Sequence, residues 1–267
     1  MKSGQLEVNA FPEIAALLEA YFELLDSALP DRITGFYLTG SPALNDYQPG
    51  KSDLDFVAVG DFPFTSPELQ MLEKVHARLS SRNPKPELDG IYVTRAQLQA
   101  SPLKISPPYW LGNRFYGSGA FNANPVTWHT LKHYPLAIFG PRQPEIHTDD
   151  PELRRWCRKN LTDYWRPWIR QAEQHLPELS AEDLAWGVTG ITRIHATIDT
   201  GEIISKSQAL RYALRRFPPE MSPIIETARE IRQTNGKLPL TDPLRSGEQA
   251  LLLMKFALAS ALKIKSS

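Results

Sequence analysis

The sequence predicts an α+β protein: an N-terminal mixed β-sheet domain with flanking helices, followed by a C-terminal α-helical bundle. Three observations carry this. Between residues 30 and 140, short apolar strand-like runs alternate with stretches of helical spacing, the pattern of a sheet with helices packed on it. From residue 152 onward almost every segment has helical period. Between the two, residues 140–151 (GPRQPEIHTDDP) are polar and Pro-rich, as domain boundaries are. Two domains, 1–150 and 151–267, also suit a chain of 267 residues, since a domain takes roughly 100–200.

Each element has a local reason. Residues 11–29 place Ile14, Leu17, Leu18, Tyr21, Leu24 and Leu25 at helical spacing, and Pro30 ends the run. Residues 33–39 (ITGFYLT) read as a strand, interrupted by Gly40-Ser41-Pro42, and 45–52 are turn-rich. A second strand follows at 53–59 (DLDFVAV), a helix at 67–82 and a third strand at 87–94 (ELDGIYVT). Residues 101–125, rich in Gly, Pro and aromatics, read as a structured loop of the sort that lines sites. A helix over 126–133 and a short strand over 135–139 close the first domain. The second holds helices at 152–175, 181–199, 206–216, 220–234 and 245–263.

Composition narrows the function classes. Hydrophobic residues are 42% and charged residues 22%, which excludes a disordered chain. Lys+Arg and Asp+Glu are 30 each, so no net charge draws the chain to nucleic acid, although one charged cleft is compatible with this. A single cysteine, Cys157, excludes an intramolecular disulfide framework and a Cys-rich zinc module. The first residues carry no apolar core of a secretory signal, and no run approaches a membrane span. A cytoplasmic protein without nucleic-acid or membrane partners is expected, as monomer or weak dimer.

The stretch that carries chemistry is GFYLTGSPALNDYQPGKSDLDFVAV, residues 35–59. A strand leads into Gly40-Ser41, eleven residues (42–52) intervene, and Asp53-Leu54-Asp55 opens the next strand. Side chains two apart on a strand share a face, so Asp53 and Asp55 point the same way with Cα atoms roughly 7 Å apart. Two such carboxylates can converge on Mg²⁺, an oxygen-seeking ion usually shared with substrate phosphates. Gly40 allows close backbone approach to a ligand, Ser41 brings a hydroxyl, and Ser52 borders the carboxylates as a further candidate phosphate contact. The plain alternative is a hairpin with two solvated aspartates on a half-buried strand.

The strand, the Gly-Ser pair, the spacer and the D-h-D-h run together resemble the nucleotidyltransferase signature. More of the chain resembles one branch, the aminoglycoside adenylyltransferases that act on streptomycin and spectinomycin. ITRIHATIDTGEIISKSQALRYALRRFPPEMSPIIETARE, residues 191–230, is similar to that branch's helix–TG–helix segment, and AIFGP, 137–141, to its strand before the domain junction. The resemblance implies a nucleotidyltransferase domain joined to a helical one, with Mg²⁺ at Asp53 and Asp55 and ATP as co-substrate. Gly40, Ser41, Arg193 and Lys206 would hold phosphates, in a site formed by both domains. It implies a general base on the third strand: Asp89 where the branch usually carries Glu, with Glu87 two residues back as the alternative. Asp183 aligns with an acidic substrate contact, or is simply a carboxylate at a helix start. Glu87 and Glu182 are further acidic candidates for a cationic acceptor. Trp110, Phe115 and Tyr116 either stack on a sugar or base, or pack at the junction.

The expected reaction is transfer of AMP from ATP to a hydroxyl of a small molecule, an aminoglycoside or aminocyclitol. The Trp and second Asp of streptomycin-active members fall on Gln174 and Leu179 here, which favours spectinomycin. Another acceptor, metabolite or protein, and a non-catalytic nucleotide sensor are the alternatives. His129 and His133, four apart, lack a third ligand for zinc; Arg154, Arg155, Arg158 and Lys159 around Trp156 read as a solvated helix face, and Trp156, Trp165, Trp168 and Trp186 as core.

Overall fold

The computed structural model describes residues 11–234, 240 and 242–264. Most of the N-terminal segment read above for a secretory signal, residues 1–10, lies outside these. The chain divides into two compact units, 1–148 and 149–267.

Among its described residues the first unit has six strands: β1 (Gly35–Thr39), β2 (Leu54–Gly60), β3 (Leu88–Thr94), β4 (Tyr109–Leu111), β5 (Arg114–Tyr116) and β6 (Leu136–Phe139). They form one sheet in the order β5-β4-β3-β2-β1-β6. Only β2 and β3 run parallel; every other neighbouring pair is antiparallel. The parallel pair needs a long connection, and α3 (Ser66–Arg82) supplies it. With α1 (Pro12–Ala28) it covers one face of the sheet, burying Tyr21, Phe36, Phe56, Leu72 and Tyr92. A second core on the other face holds Val57, Val59, Ile91, Val93, Trp128 and Leu131. Short helices α2 (Gly40–Ala43) and α4 (Arg95–Leu98) follow β1 and β3, and α5 (Pro125–His133) follows residues 117–124.

The segment 101–125, expected to be a loop, contains β4 and β5. They are joined by Gly112-Asn113, both at positive φ (55° and 63°). Two such residues make the tight turn whose twist suits an antiparallel hairpin. A short 3₁₀ turn, Pro102–Lys104, precedes them.

The second unit is helical: α6 (Asp150–Asn160), a π-helical turn Leu161–Trp165, α7 (Arg166–Gln174), α8 (Ala181–Thr200), α9 (Lys206–Arg216), α10 (Ser222–Gln233) and α11 (Pro243–Lys263). The helix expected over 152–175 contains Pro167, which lacks an N–H and clashes with the carbonyl four residues back. The wider π turn just before it relieves that conflict, with the Arg166 N–H reaching the Leu161 carbonyl. Helix α8 is central, packed against α6, α9, α10 and α11. It stops at Gly201, whose φ of 79° is a left-handed cap. Trp165 and Trp186 pack with ring centroids 4.8 Å apart, and Trp168 lies 5.4 Å from Trp186. In the basic run, Arg158 donates to the Ile264 carbonyl at 2.9 Å, and Lys159 makes an exposed pair with Asp163.

Candidate active site

The site in the first unit is built at one end of the parallel pair. Strand β1 is buried throughout and carries the chain to Thr39, which lies opposite Asp55 in the antiparallel register. The next residue, Gly40, turns the chain with φ +64° into α2. A Cβ at Gly40 would lie 2.5 Å from Oδ2 of Asp55, and the positive φ favours glycine there. The 45–52 segment then closes on itself: the Ser52 hydroxyl accepts from the Gln48 amide at 3.0 Å. Ser52 is thus a turn-closing residue, and Ser41 contributes its carbonyl to the Asp46 amide at 2.9 Å.

Asp53 precedes β2 and is about half exposed; Asp55 is the one partly exposed position in that otherwise buried strand. On β3, Asp89 is the register partner of Asp55, and it is 7% exposed. Adjacent strands lie about 4.8 Å apart, so the two carboxylates leave the sheet side by side. The Gly112 amide donates to Oδ1 of Asp89 at 3.1 Å, and the Asn122 side-chain amide donates to Oδ1 of Asp55 at 3.1 Å. Lys85 bonds Glu87 at 2.7 Å and stands 3.8 Å from Asp53.

The electrostatics follow from this crowding. Burial, together with the negative charges of Asp55, Glu87 and Asp53, pushes the Asp89 carboxyl up to about 7, against the lowering effect of the Gly112 amide. Its hydrogen bond to Glu87 above all, then the nearby carboxylates, raises the Lys85 ammonium above its ordinary value. Such a cluster favours a cation. The donor set is all oxygen, as Mg²⁺ requires, and glycine at position 40 lets the Asp55 carboxylate lie close against the backbone. Among the described residues no group of three or more His, Cys, Asp or Glu is arranged to hold a metal by itself. A cation here would therefore complete its shell with oxygens from a second molecule.

The other residues singled out by sequence have varied surroundings. Arg193, on α8, donates to the Ile204 carbonyl at 2.9 Å, two residues before Lys206 opens α9, so the two lie beside one turn of the second unit. Asp183 is engaged within its own helix start. Its Oδ2 accepts from the Ser180 hydroxyl at 2.6 Å and amide at 3.1 Å, closing the capping box of α8. Glu182 lies in the same first turn. Trp110 departs from the reading of a ring offered to a sugar or base. It is 5% exposed and stacks on His76 at 4.8 Å, which makes it part of the core. Tyr116 stacks on Tyr109 at 4.5 Å, and Phe115 packs on the α1–α3 core. Sequence reasoning missed Gly112 and Asn122. The first had a signal in the Gly-Asn pair between two aromatic runs; the second is joined to Asp55 across 67 positions and had none.

Residues 181–245 match the family described as aminoglycoside adenylyltransferase, C-terminal domain. No curated protein matches the chain. The fold is similar to that of a solved structure described as spectinomycin adenyltransferase AAD(9) from Enterococcus faecialis with ATP and spectinomycin. The TM-score is 0.63 at 17% identity, over 93% of this chain and 99% of that one.

Proposed function

We propose that this aminoglycoside adenylyltransferase-like enzyme, whose reaction class is nucleotidyl transfer, moves AMP from ATP to a hydroxyl of an aminocyclitol or aminoglycoside, with Mg²⁺ held by Asp53 and Asp55. The observation that carries this is the trio of carboxylates beside Gly40: Asp53 and Asp55 entering β2, and Asp89 level with Asp55 on β3. Asp53 and Asp55 would hold Mg²⁺, which would supply positive charge against that developing as pyrophosphate leaves. Gly40 lets the backbone approach the phosphates closely, and Ser41 adds a hydroxyl. Asp89 takes the proton of the acceptor hydroxyl as that oxygen attacks the α-phosphorus in line. A base with pKa near the working pH is most effective and contributes about 10²–10⁴-fold; Asp89, at about 7, is placed for that. Glu87, tied to Lys85, is the second choice. Arg193 and Lys206 complete the proposal as neutralisers of phosphate charge, Arg through its forked donors.

The acceptor follows from charge. Asp53, Asp55, Glu87 and Asp89 together suit a cationic amino sugar. Gln174 and Leu179, standing where streptomycin-active enzymes carry Trp and Asp, favour spectinomycin. The same reading makes this a cytoplasmic resistance enzyme, monomeric or weakly dimeric. The test is pyrophosphate release from ATP and Mg²⁺ with a panel of aminoglycosides. Release with spectinomycin, lost in Asp89→Ala, is expected. Labelling of a protein instead, or ATP binding without turnover on any acceptor, would overturn the assignment.

A further inference from the structure

We infer that Asn122 is the positioning residue of Asp55: its side-chain amide sets the rotation of the carboxylate that the preceding reading, on which this inference rests, gives to the cation. Asn122 Nδ2 donates to Oδ1 of Asp55 at 3.1 Å. An ionised carboxylate can only accept, so the amide must present its nitrogen. The other oxygen, Oδ2, occupies the space that glycine at position 40 leaves open. One Asp55 oxygen thus has the Asn122 donor, and the other lies against the backbone of Gly40. Groups that orient a metal-binding side chain in this way typically matter about 10–100-fold in metal affinity.

The amide is itself rigidly carried. Asn122 has φ +52°, a left-handed conformation that asparagine tolerates better than most residues. Phe121, before it, packs at 5.4 Å from Tyr109, and Ala123, after it, is buried. Asn124 caps α5 by accepting from the Thr127 amide at 3.1 Å. Within α5, Trp128 is fully buried, and its indole donates to the Leu98 carbonyl at 3.1 Å and the Ala100 carbonyl at 3.2 Å. The loop is therefore fixed on both sides of Asn122, and the residue projects from it onto Asp55. It touches none of the atoms the reaction would change, so its effect passes through Asp55.

The experiment is a double-mutant cycle on the full chain, read as Mn²⁺·ATP affinity by calorimetry, with thermal melting as a folding check. Asn122→Gly removes the amide and keeps the positive φ. It should weaken binding about 10–100-fold, with a melting temperature within a few degrees of the parent. Asn122→Gln, which keeps a donor, should recover part of the loss. Asp55→Asn should weaken binding strongly, and adding Asn122→Gly to it should then change nothing further, because contacting residues are not additive. Unchanged affinity in Asn122→Gly would overturn the inference. So would an equal loss in both backgrounds, which would mean that the loop acts independently of Asp55. If Asp55→Asn alone bound Mn²⁺·ATP as the parent does, the metal assignment itself would fall, and the inference with it.

Discussion

The two faces of β2 and β3 both bury polar groups, and they treat them oppositely. On the face toward α1 and α3, His76 lies 2.5 Å from the Tyr92 hydroxyl, which lies 2.7 Å from that of Tyr21. His76 also stacks on Phe56 and Trp110. Burial drives its imidazole down to about 3, so it is neutral and hydrogen-bonded at ordinary pH. On the other face, burial first and then the charges of Asp55, Glu87 and Asp53 raise the Asp89 carboxyl to about 7, against the Gly112 amide. One face pairs His76 with hydroxyls; the other gathers carboxylates around Asp89. Alternation along the same strands places Leu54 and Phe56 on the first face and Asp55 on the second. Paired groups serve stability, and a cluster of like charge serves a ligand.

The sharpest way to break this contrast is to change one charge on the open face. Asp55→Asn should lower turnover roughly 10³-fold or more, beyond the 10–100-fold expected of an orienting partner. It should also leave the melting temperature equal or higher, because a repelling carboxylate is gone. Lost activity together with lost stability would mean that Asp55 is structural. The face toward α1 and α3 should answer the other way. Phe56→Ala removes a fully buried ring stacked 5.0 Å from Phe36, and should cost about 3–5 kcal/mol in denaturant unfolding. Tyr92→Phe is milder. It deletes the hydroxyl shared by Tyr21 and His76, for about 1–3 kcal/mol.

What was legible in the sequence follows the same division. The apolar runs of β1, β2 and β3 and the helical spacing of α1, α3, α8 and α9 are local signals, and the structure has those elements within one or two residues. Asp53, Asp55 and Gly40 stood out because their meaning lies in spacing along one short segment. The hairpin at 109–116 was hidden by its own composition: three-residue strands give no period, and Gly and Pro content suggested a loop. The sequence leaves Trp110 open between ligand stacking and packing for the same reason, since only the folded chain brings the ring against His76. Asp183 carried a readable alternative, the Ser180-x-x-Asp183 capping pattern. No local rule joins Asn122 to Asp55, because that contact exists only once α5 is docked on the sheet.

The response to pH is the most diagnostic, because the two faces should respond with opposite sign. His76 titrates near 6.5 in an unfolded chain and near 3 in place. Below pH 6.5 the unfolded state therefore binds the extra proton, and stability falls as pH is lowered toward 3, by at most about 1.4 kcal/mol per pH unit. Asp89 moves from 3.8 to about 7. Between those values the folded state holds the proton, so stability is full below 3.8 and declines as pH rises through 7. In the window from 3.8 to 6.5 the two slopes oppose each other and the parent should look nearly pH-independent at these sites. Single substitutions uncover each slope. Relative to the parent, Asp89→Asn, melted without divalent cations, should become more stable as pH rises from 4 to 8. His76→Gln should lose its relative disadvantage as pH falls from 7 to 4. If both differences were flat, neither burial would be setting the protonation state, and the contrast between the two faces would rest on shape alone.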